Sequence, residues 1–247
     1  MTSQATNLPV RQAVILCGGR GTRLGELTVN CPKPLLTVAG RPFVSHILDR
    51  LAVYGFESVL LLVGPFEDMF RRCLSKESWP NMALSFVPEP EPSGTGGALR
   101  YAEELLEPQF LMLNGDTLFD IDLRGFVSAA PSVPIFLSVR EVENAERYGS
   151  VVLEPSGKVI RFAEKQRVGP GLINGGTYLL QRDILAALPA QGACSLEGDI
   201  IPAYCARQEV SAIRCDGAFL DIGTPSDFAR ADEFVTTLAR TTEAQGG

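Results

Sequence analysis

A short apolar run that leads directly into a glycine-rich loop is the feature that most constrains how this chain can fold. Residues 13–16 read Ala-Val-Ile-Leu, and residues 17–24 read Cys-Gly-Gly-Arg-Gly-Thr-Arg-Leu. An apolar, β-branched run bounded by glycine predicts a buried strand that ends in a loop. Glycines leave the backbone N–H groups of such a loop accessible, so an anion can approach them closely.

Two cations accompany this loop. Arg23 carries a planar guanidinium whose donors match phosphate oxygens, and Lys33 carries a compact ammonium group between Pro32 and Pro34. With the glycines, they indicate a site for a polyphosphate. The alternative is a tight turn with solvated cations, which a glycine-rich loop alone would favour. The spacing matches neither the P-loop, because no Gly-Lys-Ser/Thr follows, nor the dinucleotide-binding fingerprint, because Leu24 replaces its third glycine.

Further along, apolar runs alternate with amphipathic segments. The runs at residues 58–63, 82–87 and 110–113 predict strands, and the segments 43–54, 65–74 and 95–105 predict helices, the first of which ends at Gly55. This alternation predicts an α/β fold in which parallel strands are joined by right-handed crossovers. Ligands of such sheets collect at the carboxyl ends of the strands, where the glycine-rich loop lies.

The last of these runs delivers Asn114, Gly115 and Asp116 to the same edge of the predicted sheet. A carboxylate beside a polyphosphate is a natural ligand for Mg2+, because this ion takes hard oxygen donors and shares them with phosphates. Asn-Gly-Asp is also ordinary turn chemistry. The nearby Asp120 and Asp122 are predicted to face solvent or to cap a helix.

A loop with two prolines and three glycines occupies residues 89–98, Glu-Pro-Glu-Pro-Ser-Gly-Thr-Gly-Gly-Ala. The prolines stiffen the approach to the next helix, and the glycines allow the backbone to come near a flat ligand. The alternative interpretation is a rigid turn followed by a helix N-cap.

The second half of the chain predicts mostly strands. Residues 133–139 and 172–180 predict single strands, and residues 148–162 predict a hairpin with a four-residue turn. The strand at 172–180 contains Asn174-Gly175-Gly176, which only a bulge or a close backbone approach would explain. The segment from Ser195 to Asp199 has the pattern of a helix capping box.

Composition and charge exclude several classes of protein. The 247 residues include 29 acidic and 22 basic side chains, for a net charge of −7, which argues against binding to nucleic acid or an anionic membrane. The six cysteines form no C-x-x-C pair, and the N-terminal residues lack the pattern of a secretory leader. We therefore expect reduced thiols and a cytoplasmic protein.

His46 is the only histidine, which excludes sites that need histidine pairs. Residues 1–11 are expected to be a disordered lead, and residues 236–247 a frayed tail.

The first strand, the sequence Gly-Gly-x-Gly-Thr-Arg-Leu and the following Pro-Lys-Pro resemble the signature of the sugar-phosphate nucleotidyltransferases. The resemblance implies a Rossmann-like three-layer α/β/α fold with a mixed, mainly parallel sheet and a small β-rich part for the acceptor. It implies one domain over residues 12–235, in which 12–130 mainly bind the nucleotide and 131–235 mainly bind the sugar phosphate. The implied reaction is the Mg2+-dependent attack of a sugar 1-phosphate on the α-phosphate of a nucleoside triphosphate, which releases pyrophosphate.

The same resemblance assigns roles to individual residues. Catalytic roles fall on Arg23, Lys33, Asp116, Lys165 and Asp221, and the two aspartates are paired as Mg2+ ligands only by the resemblance, since their spacing proves nothing. Without it, Lys165 would be interpreted as a surface lysine. Nucleotide binding is implied for Leu16, Cys17, Gly18, Gly19, Arg20, Gly21, Thr22, Glu89, Gly94, Thr95 and Gly115. Sugar-phosphate binding is implied for Tyr148, Gly149, Glu164, Lys165, Asn174, Gly175 and Glu197.

Glu89 falls where the family carries a base-reading side chain. An ionised carboxylate can accept hydrogen bonds from both the ring N–H and the exocyclic amine of guanine, whereas uracil and thymine offer one donor. GTP is therefore the preferred nucleotide, with adenine or a water-mediated pyrimidine contact left open.

Within the family, the motifs at residues 113–123, 147–149, 171–179 and 219–225 most resemble those of the D-glycero-α-D-manno-heptose 1-phosphate guanylyltransferases. The alternatives are a mannose 1-phosphate guanylyltransferase, a uridylyl- or thymidylyltransferase for a hexose 1-phosphate, and a catalytically silent regulatory subunit that binds nucleotide sugars. No hexapeptide repeat is present, so no acetyltransferase activity is expected. The expected partners are the two substrates, with the chain as a monomer or small homo-oligomer.

Overall fold

The computed structural model describes residues 9–19, 21–90, 92–163 and 169–245, and its central feature is a mixed β-sheet. In chain order the strands are β1 (Gln12–Leu16), β2 (Thr37–Val38), β3 (Arg41–Pro42), β4 (Ser58–Gly64), β5 (Ala83–Pro88), β6 (Gln109–Asn114), β7 (Thr117–Phe119), β8 (Ile135–Val142), β9 (Ser150–Leu153), β10 (Val159–Ala163), β11 (Gly171–Gln181), β12 (Val210–Arg214) and β13 (Phe219–Asp221). The helices are α1 (Phe43–Tyr54), α2 (Glu67–Leu74), α3 (Gly94–Tyr101), α4 (Leu123–Ala129), α5 (Ile201–Ala206), α6 (Pro225–Phe228) and α7 (Ala231–Gln245).

The first half of the sheet is parallel. Strand β1 lies between β4 and β6 and runs parallel to both, and β5 runs parallel to β4 at the edge. The carboxyl ends of these four strands therefore lie along one edge of the sheet. This arrangement brings the glycine-rich loop, the loop after β5 and the turn after β6 together.

The second half joins the first through the long strand β11. Its last residues pair antiparallel with β6, and its first residues lie between β8 and β9. Strand β12 runs parallel to β8, and β9 and β10 form the predicted hairpin. The register between β11 and β8 shifts between Asn174 and Tyr178. This irregularity lies where the Asn-Gly-Gly sequence predicts a bulge or a close approach.

Helices cover both faces of the sheet because the strands are apolar on both sides. Along β1, Ala13 and Ile15 pack into one core with α1, α2 and α7, while Val14 packs into the other with α3 and α5. This alternation is the two-residue period of a strand. The prediction of a Rossmann-like three-layer fold with a mixed sheet is confirmed. None of the helices in the described part of the chain is both long and apolar enough to cross a membrane.

Several boundaries differ from the predicted ones. Helix α1 has the predicted bounds, and Gly55 ends it with a φ of 84°. The predicted helix at 95–105 is instead α3 followed by a separate 3-10 turn at Glu103–Leu105. Strand β8 begins two residues late, after Pro134, which has no N–H to donate to a sheet ladder.

Both ends of the described chain require a correction. Val10 is buried, and the carbonyl of Arg11 accepts a hydrogen bond from Glu57 N at 3.0 Å, so residues 9–11 are ordered. The rest of the predicted lead, residues 1–8, lies outside the described residues. Helix α7 continues to Gln245, whereas a frayed tail is predicted from residue 236. Ala231 and Val235 anchor the start of this helix in the core, and the helix continues outward from that anchor.

Candidate active site

A cavity of about 680 Å³ opens at the carboxyl edge of the parallel strands. This volume lies within the usual range of sites for small molecules and cofactors. The cavity is lined by the loops that follow β1, β4, β5 and β6, and on its far side by Asn174 of β11 and Glu197. The site therefore spans both halves of the chain.

The glycine-rich loop forms one wall, and close packing favours glycine at two of its positions, Gly18 and Gly21. A Cβ on Gly18 would lie 2.8 Å from Oε1 of Glu89 and 3.1 Å from the backbone N of Gly64. Gly21 has a φ of 60°, a conformation that favours glycine. Thr28 Oγ1 donates a hydrogen bond to the carbonyl of Gly21 at 3.0 Å, which holds the following turn against the loop. At Gly18, Gly19 and Gly21 the loop therefore presents its backbone to the cavity.

Lys33 also lines the cavity, and its side chain packs beside Gly21. It begins a 3-10 turn immediately after Pro32, and its side chain is almost fully buried. Its Nζ donates to Oδ2 of Asp116 at 2.6 Å. A buried ammonium needs such a partner, because burial of an unpaired charge is costly. Arg23 lines the same cavity and is exposed.

Asp116 and Asp221 are brought together by the short ribbon of β7 and β13. In this antiparallel pair, Asp221 lies opposite Thr117, and Ile222 N donates to the carbonyl of Asp116 at 3.0 Å. Oδ1 of Asp221 is buried and, among the described residues, has no hydrogen-bond partner. Two carboxylates 105 positions apart in the sequence thus meet at one corner of the site.

The electrostatics of this corner favour a bound cation. Burial and the charge of Asp116 raise the pKa of Asp221 to about 6, although the positive charge of Lys33 opposes the shift. A carboxyl group with a raised pKa beside a second carboxylate gains stability from a cation. The described residues contain no cluster of three or more side chains of the types that bind metals. Asp116 and Asp221 are the two carboxylates that this corner would offer to such an ion.

Glu89 lies beside the glycine-rich loop in the lining of the cavity. It follows directly after β5 and is only 6% exposed. Its Oε2 accepts a hydrogen bond from Ser93 Oγ at 2.5 Å, and its Oε1 faces Gly18. Pro65 and Phe66, which follow β4, also line the cavity. The carboxylate of Glu89 is thus held in place at the surface of the cavity.

A hydrogen-bonded network forms the far side of the cavity. Tyr178, which is fully buried, donates to Oε1 of Glu197 at 3.0 Å and accepts from Nδ2 of Asn174 at 2.5 Å. Thr95 Oγ1 donates to Oε2 of Glu197 at 2.5 Å. Burial and the charge of Glu197 raise the pKa of Tyr178 well above its ordinary value, so its hydroxyl remains a donor. This network, Thr95, Asn174, Tyr178 and Glu197, is called the acceptor wall below.

Comparison with known proteins agrees with this geometry. Residues 12–237 match the nucleotidyl transferase family. The chain belongs to this family. Its matched segment includes all thirteen strands of the described structure.

Curated relatives include sugar-phosphate guanylyltransferases. The chain is 35% identical over 219 residues to the D-glycero-alpha-D-manno-heptose 1-phosphate guanylyltransferase of Campylobacter jejuni, an alignment that covers 88% of this chain and 96% of the relative. It is 33% identical over 224 residues to the mannose-1-phosphate guanylyltransferase of Mycobacterium tuberculosis, covering 88% of this chain and 62% of the relative.

A solved structure with the same fold is HddC from Yersinia pseudotuberculosis. It superposes with a TM-score of 0.82 at 32% identity and covers 91% of this chain and 99% of its own. HddC complexed with GMP-PN superposes with a TM-score of 0.79 at the same identity. HddC, a chain of similar length, therefore has this architecture.

The structure gathers most of the predicted site residues around the cavity. Those that line it are Leu16, Cys17, Gly18, Gly19, Gly21, Arg23, Lys33, Glu89, Gly94, Thr95, Asp116, Asn174 and Glu197. Five predicted site residues are described but do not line the cavity, namely Gly115, Tyr148, Gly149, Gly175 and Asp221. Arg20, Glu164 and Lys165 lie outside the described residues, as does the side chain of Thr22. The roles of all these residues stay predictions.

Sequence reasoning assigned no role to Tyr178 or Ser93. Tyr178 holds two predicted sugar-binding residues, and Ser93 holds Glu89. A signal for Ser93 was its position four residues after Glu89 in the same stiff loop. Tyr178 carried no comparable signal, because a tyrosine in an apolar strand predicts only a core residue.

Proposed function

We propose that this nucleotidyl transferase joins GTP to a sugar 1-phosphate, D-glycero-α-D-manno-heptose 1-phosphate, and releases pyrophosphate. The observation that carries the proposal is the corner at which Lys33, Asp116 and Asp221 meet beside the glycine-rich loop. The heptose 1-phosphate guanylyltransferase of Campylobacter jejuni supports the choice of substrates, because the alignment spans nearly all of both chains.

Asp116 and Asp221 are the residues that would hold Mg2+. Their oxygens are the hard donors that this ion prefers, and the buried Oδ1 of Asp221 has no partner among the described residues. When bound, the ion would neutralise charge on the phosphate oxygens at the reacting centre.

The nucleotide's phosphates are placed by the glycine-rich loop and its cations. The backbone of Gly18, Gly19 and Gly21 lies along the cavity, where its N–H groups can receive phosphate oxygens. Lys33 and Arg23 stabilise the β- and γ-phosphates and the departing pyrophosphate. Lys33 is held in place by Asp116. A cation fixed before the substrate arrives needs little reorganisation during the reaction.

The acceptor phosphate is the nucleophile. It is already an anion near neutral pH, so no side chain has to remove a proton from it. The work of the site is to bring two anions together in line and to neutralise their charge. Lys165 is proposed to bind the sugar phosphate for this purpose, and Glu164 to bind a sugar hydroxyl.

Glu89 is proposed to select guanine. Its Oε2 accepts one hydrogen bond from Ser93, and a carboxylate has about four lone-pair sites, so it can accept further ones. The two adjacent donors of guanine match such a carboxylate. HddC, a structural neighbour, has been solved in complex with GMP-PN, which is consistent with a guanine nucleotide.

The sugar is proposed to lie against the acceptor wall, near Tyr148, Gly149 and Gly175. Glu197 can accept from sugar hydroxyls with the lone pairs that Thr95 and Tyr178 leave free. We place the protein in the cytoplasm, where GTP is available, as a monomer or small homo-oligomer.

Pyrophosphate release tests the proposal. The purified chain is incubated with Mg2+, with GTP, ATP, UTP or dTTP in turn, and with heptose or hexose 1-phosphates. The fastest release is expected with GTP and D-glycero-α-D-manno-heptose 1-phosphate. Faster release with mannose 1-phosphate would move the assignment toward the relative from Mycobacterium tuberculosis. No release with any pair, together with nucleotide-sugar binding, would replace the enzyme with a regulatory subunit.

A further inference from the structure

The loop between β8 and β9, residues 143–149, carries Tyr148 and Gly149 and is called the acceptor loop. Two backbone hydrogen bonds hold it against β11 and the residues just before that strand. Asn174 N donates to the carbonyl of Gly149 at 3.0 Å, and Ala145 N donates to the carbonyl of Gly169 at 3.0 Å. Neither bond reaches the segment that carries Asp221.

Arg147 makes that connection. Its Nη1 donates to Oδ2 of Asp227 at 2.8 Å and lies 3.4 Å from Oγ1 of Thr224. Its Nη2 lies 3.4 Å from the hydroxyl of Tyr148, and its guanidinium carbon lies 5.5 Å from the centre of the same ring. This is within the range of a cation–π contact. Arg147 therefore contacts both its neighbouring tyrosine and the turn that follows Asp221.

The carboxylate of Asp227 pairs with two arginines that come from different parts of the chain. It is 6% exposed, and its Oδ2 bonds Arg147 while its Oδ1 accepts from Arg230 at 2.7 Å. Arg230 is three residues away on the same segment, whereas Arg147 is 80 residues away. Thr224 Oγ1 also donates to Oδ2 of Asp227, at 2.6 Å. The pair with Arg147 joins two parts of the chain, and the pair with Arg230 joins none.

An apolar contact runs beside this ion pair. The ring of Tyr148 lies edge-on to that of Phe219, with 6.0 Å between the centroids. Phe219 begins β13, and Asp221 ends it. The acceptor loop thus touches the strand that carries a proposed Mg2+ ligand at one end and the turn after that ligand at the other.

We propose that Arg147 is a positioning residue, which holds Tyr148 and Gly149 at a fixed distance from Asp221 by its bonds to Asp227 and Thr224. This distance sets where the sugar phosphate lies relative to the nucleotide. The inference rests on the proposed function. Arginine suits the role because one planar fork can bond a carboxylate and a hydroxyl while it packs on an aromatic ring. Arg147 acts through Tyr148 and does not itself have to touch the substrate.

Arg147→Ala and Arg230→Ala test this role as a matched pair, because each removes one arginine from the same carboxylate. Loss of a charge-assisted hydrogen bond that orders a binding loop corresponds to a rise of about 10-fold in KM for the sugar phosphate. We expect this rise for Arg147→Ala, with KM for GTP nearly unchanged. Arg230→Ala is expected to leave both constants unchanged. Arg147→Lys keeps the charge but not the fork, so an intermediate KM is expected.

Thermal unfolding of each variant separates positioning from stability. If both alanine variants lower the melting temperature and neither changes KM for the sugar phosphate, the ion pairs are purely structural and the inference is overturned. An equal rise in both Michaelis constants of Arg147→Ala would overturn it as well. Absence of turnover by the unmodified protein with every sugar phosphate would be a failure of the proposed function, visible before any variant is made, and the inference would fall with it.

Discussion

The two sides of the cavity differ in how their charged and polar groups are paired. Lys33, Asp116 and Asp221 are called the phosphate corner below, because the proposed function places phosphates beside them. Oδ1 of Asp221 is buried there with no partner among the described residues. At the acceptor wall, the carboxylate of Glu197 accepts from the hydroxyl groups of Thr95 and Tyr178, and Asn174 donates to Tyr178. The first side has a buried oxygen with no partner among the described residues, whereas the side chains of the acceptor wall are hydrogen-bonded to one another.

Under the proposed function, the difference follows from what each side would bind. Phosphates and a metal ion would bring charge with them, so charged groups can be left uncompensated until they arrive. The sugar ring would bring hydroxyl groups, which bind best to acceptors already held in a fixed geometry, and the hydrogen bonds of the acceptor wall hold Glu197 in this way. A substitution that removes charge at the phosphate corner should therefore raise stability while it lowers activity, whereas a substitution at the acceptor wall should lower both.

Removal of the charge of Asp116 should have the largest effect on turnover. Asp116→Asn loses a proposed metal ligand and the partner of Lys33, so kcat is expected to fall by about 10³-fold or more. The fold should remain, as measured by circular dichroism. Asp122→Asn is the matched control, because Asp122 caps α4 and asparagine caps a helix equally well. Activity of Asp116→Asn equal to that of the control would remove Asp116 from the mechanism.

Asp221→Asn should show the opposition most directly. The raised pKa means that the ionised carboxylate destabilises the folded, metal-free protein, and this cost is present above about pH 6 and disappears as the pH falls toward the unfolded value. The variant should therefore lose activity yet gain about 1–2 kcal/mol in the free energy of unfolding above pH ~7. Urea denaturation in the presence of a chelator, at this pH and near pH ~4, measures the gain and its loss.

Asp227 provides the opposite case six residues away. Burial alone would raise its pKa, but hydrogen bonds from Thr224 and the two arginines lower it. Its ionised form therefore stabilises the fold above the unfolded pKa, and this contribution is lost as the pH falls through the folded pKa. Asp227→Asn should lower the free energy of unfolding near neutral pH. Equal signs for the two asparagine variants would contradict the comparison.

The phosphate corner was easier to predict from the sequence than the acceptor wall. The glycines follow the end of β1 and Asp116 follows the end of β6, and parallel strands bring their carboxyl ends to one edge. The rule therefore locates these residues without any knowledge of their contacts, whereas Lys33 was found from its position between two prolines after the loop. Asp221 needed the family resemblance, because only the pairing of β13 with β7 brings it to Asp116.

The acceptor wall depends on tertiary contacts that no local pattern encodes. Tyr178 lies in an apolar strand, and its role comes from the approach of Glu197 through a turn 19 residues later in the sequence. The same reason explains why Arg147 was missed. Its partner, Asp227, is distant in sequence, and an exposed arginine predicts a solvated side chain. Order at the two termini was missed because it depends on core contacts of Val10 and Val235.

Glu89 shares one feature with each side of the cavity, and its substitution gives the smallest expected change in activity. It is a buried charge like Asp221, but Ser93 satisfies one of its oxygens as in the acceptor wall. Glu89→Gln keeps the shape and replaces one acceptor oxygen with a donor, so guanine loses one of its two matched bonds while uracil, with one donor, loses less. The ratio of kcat/KM for GTP to that for UTP is expected to fall about 10-fold. An unchanged ratio would mean that the cavity selects the base by shape alone. The carboxylate of Glu89 would then serve only to hold the site in shape, as the hydrogen bonds of the acceptor wall do.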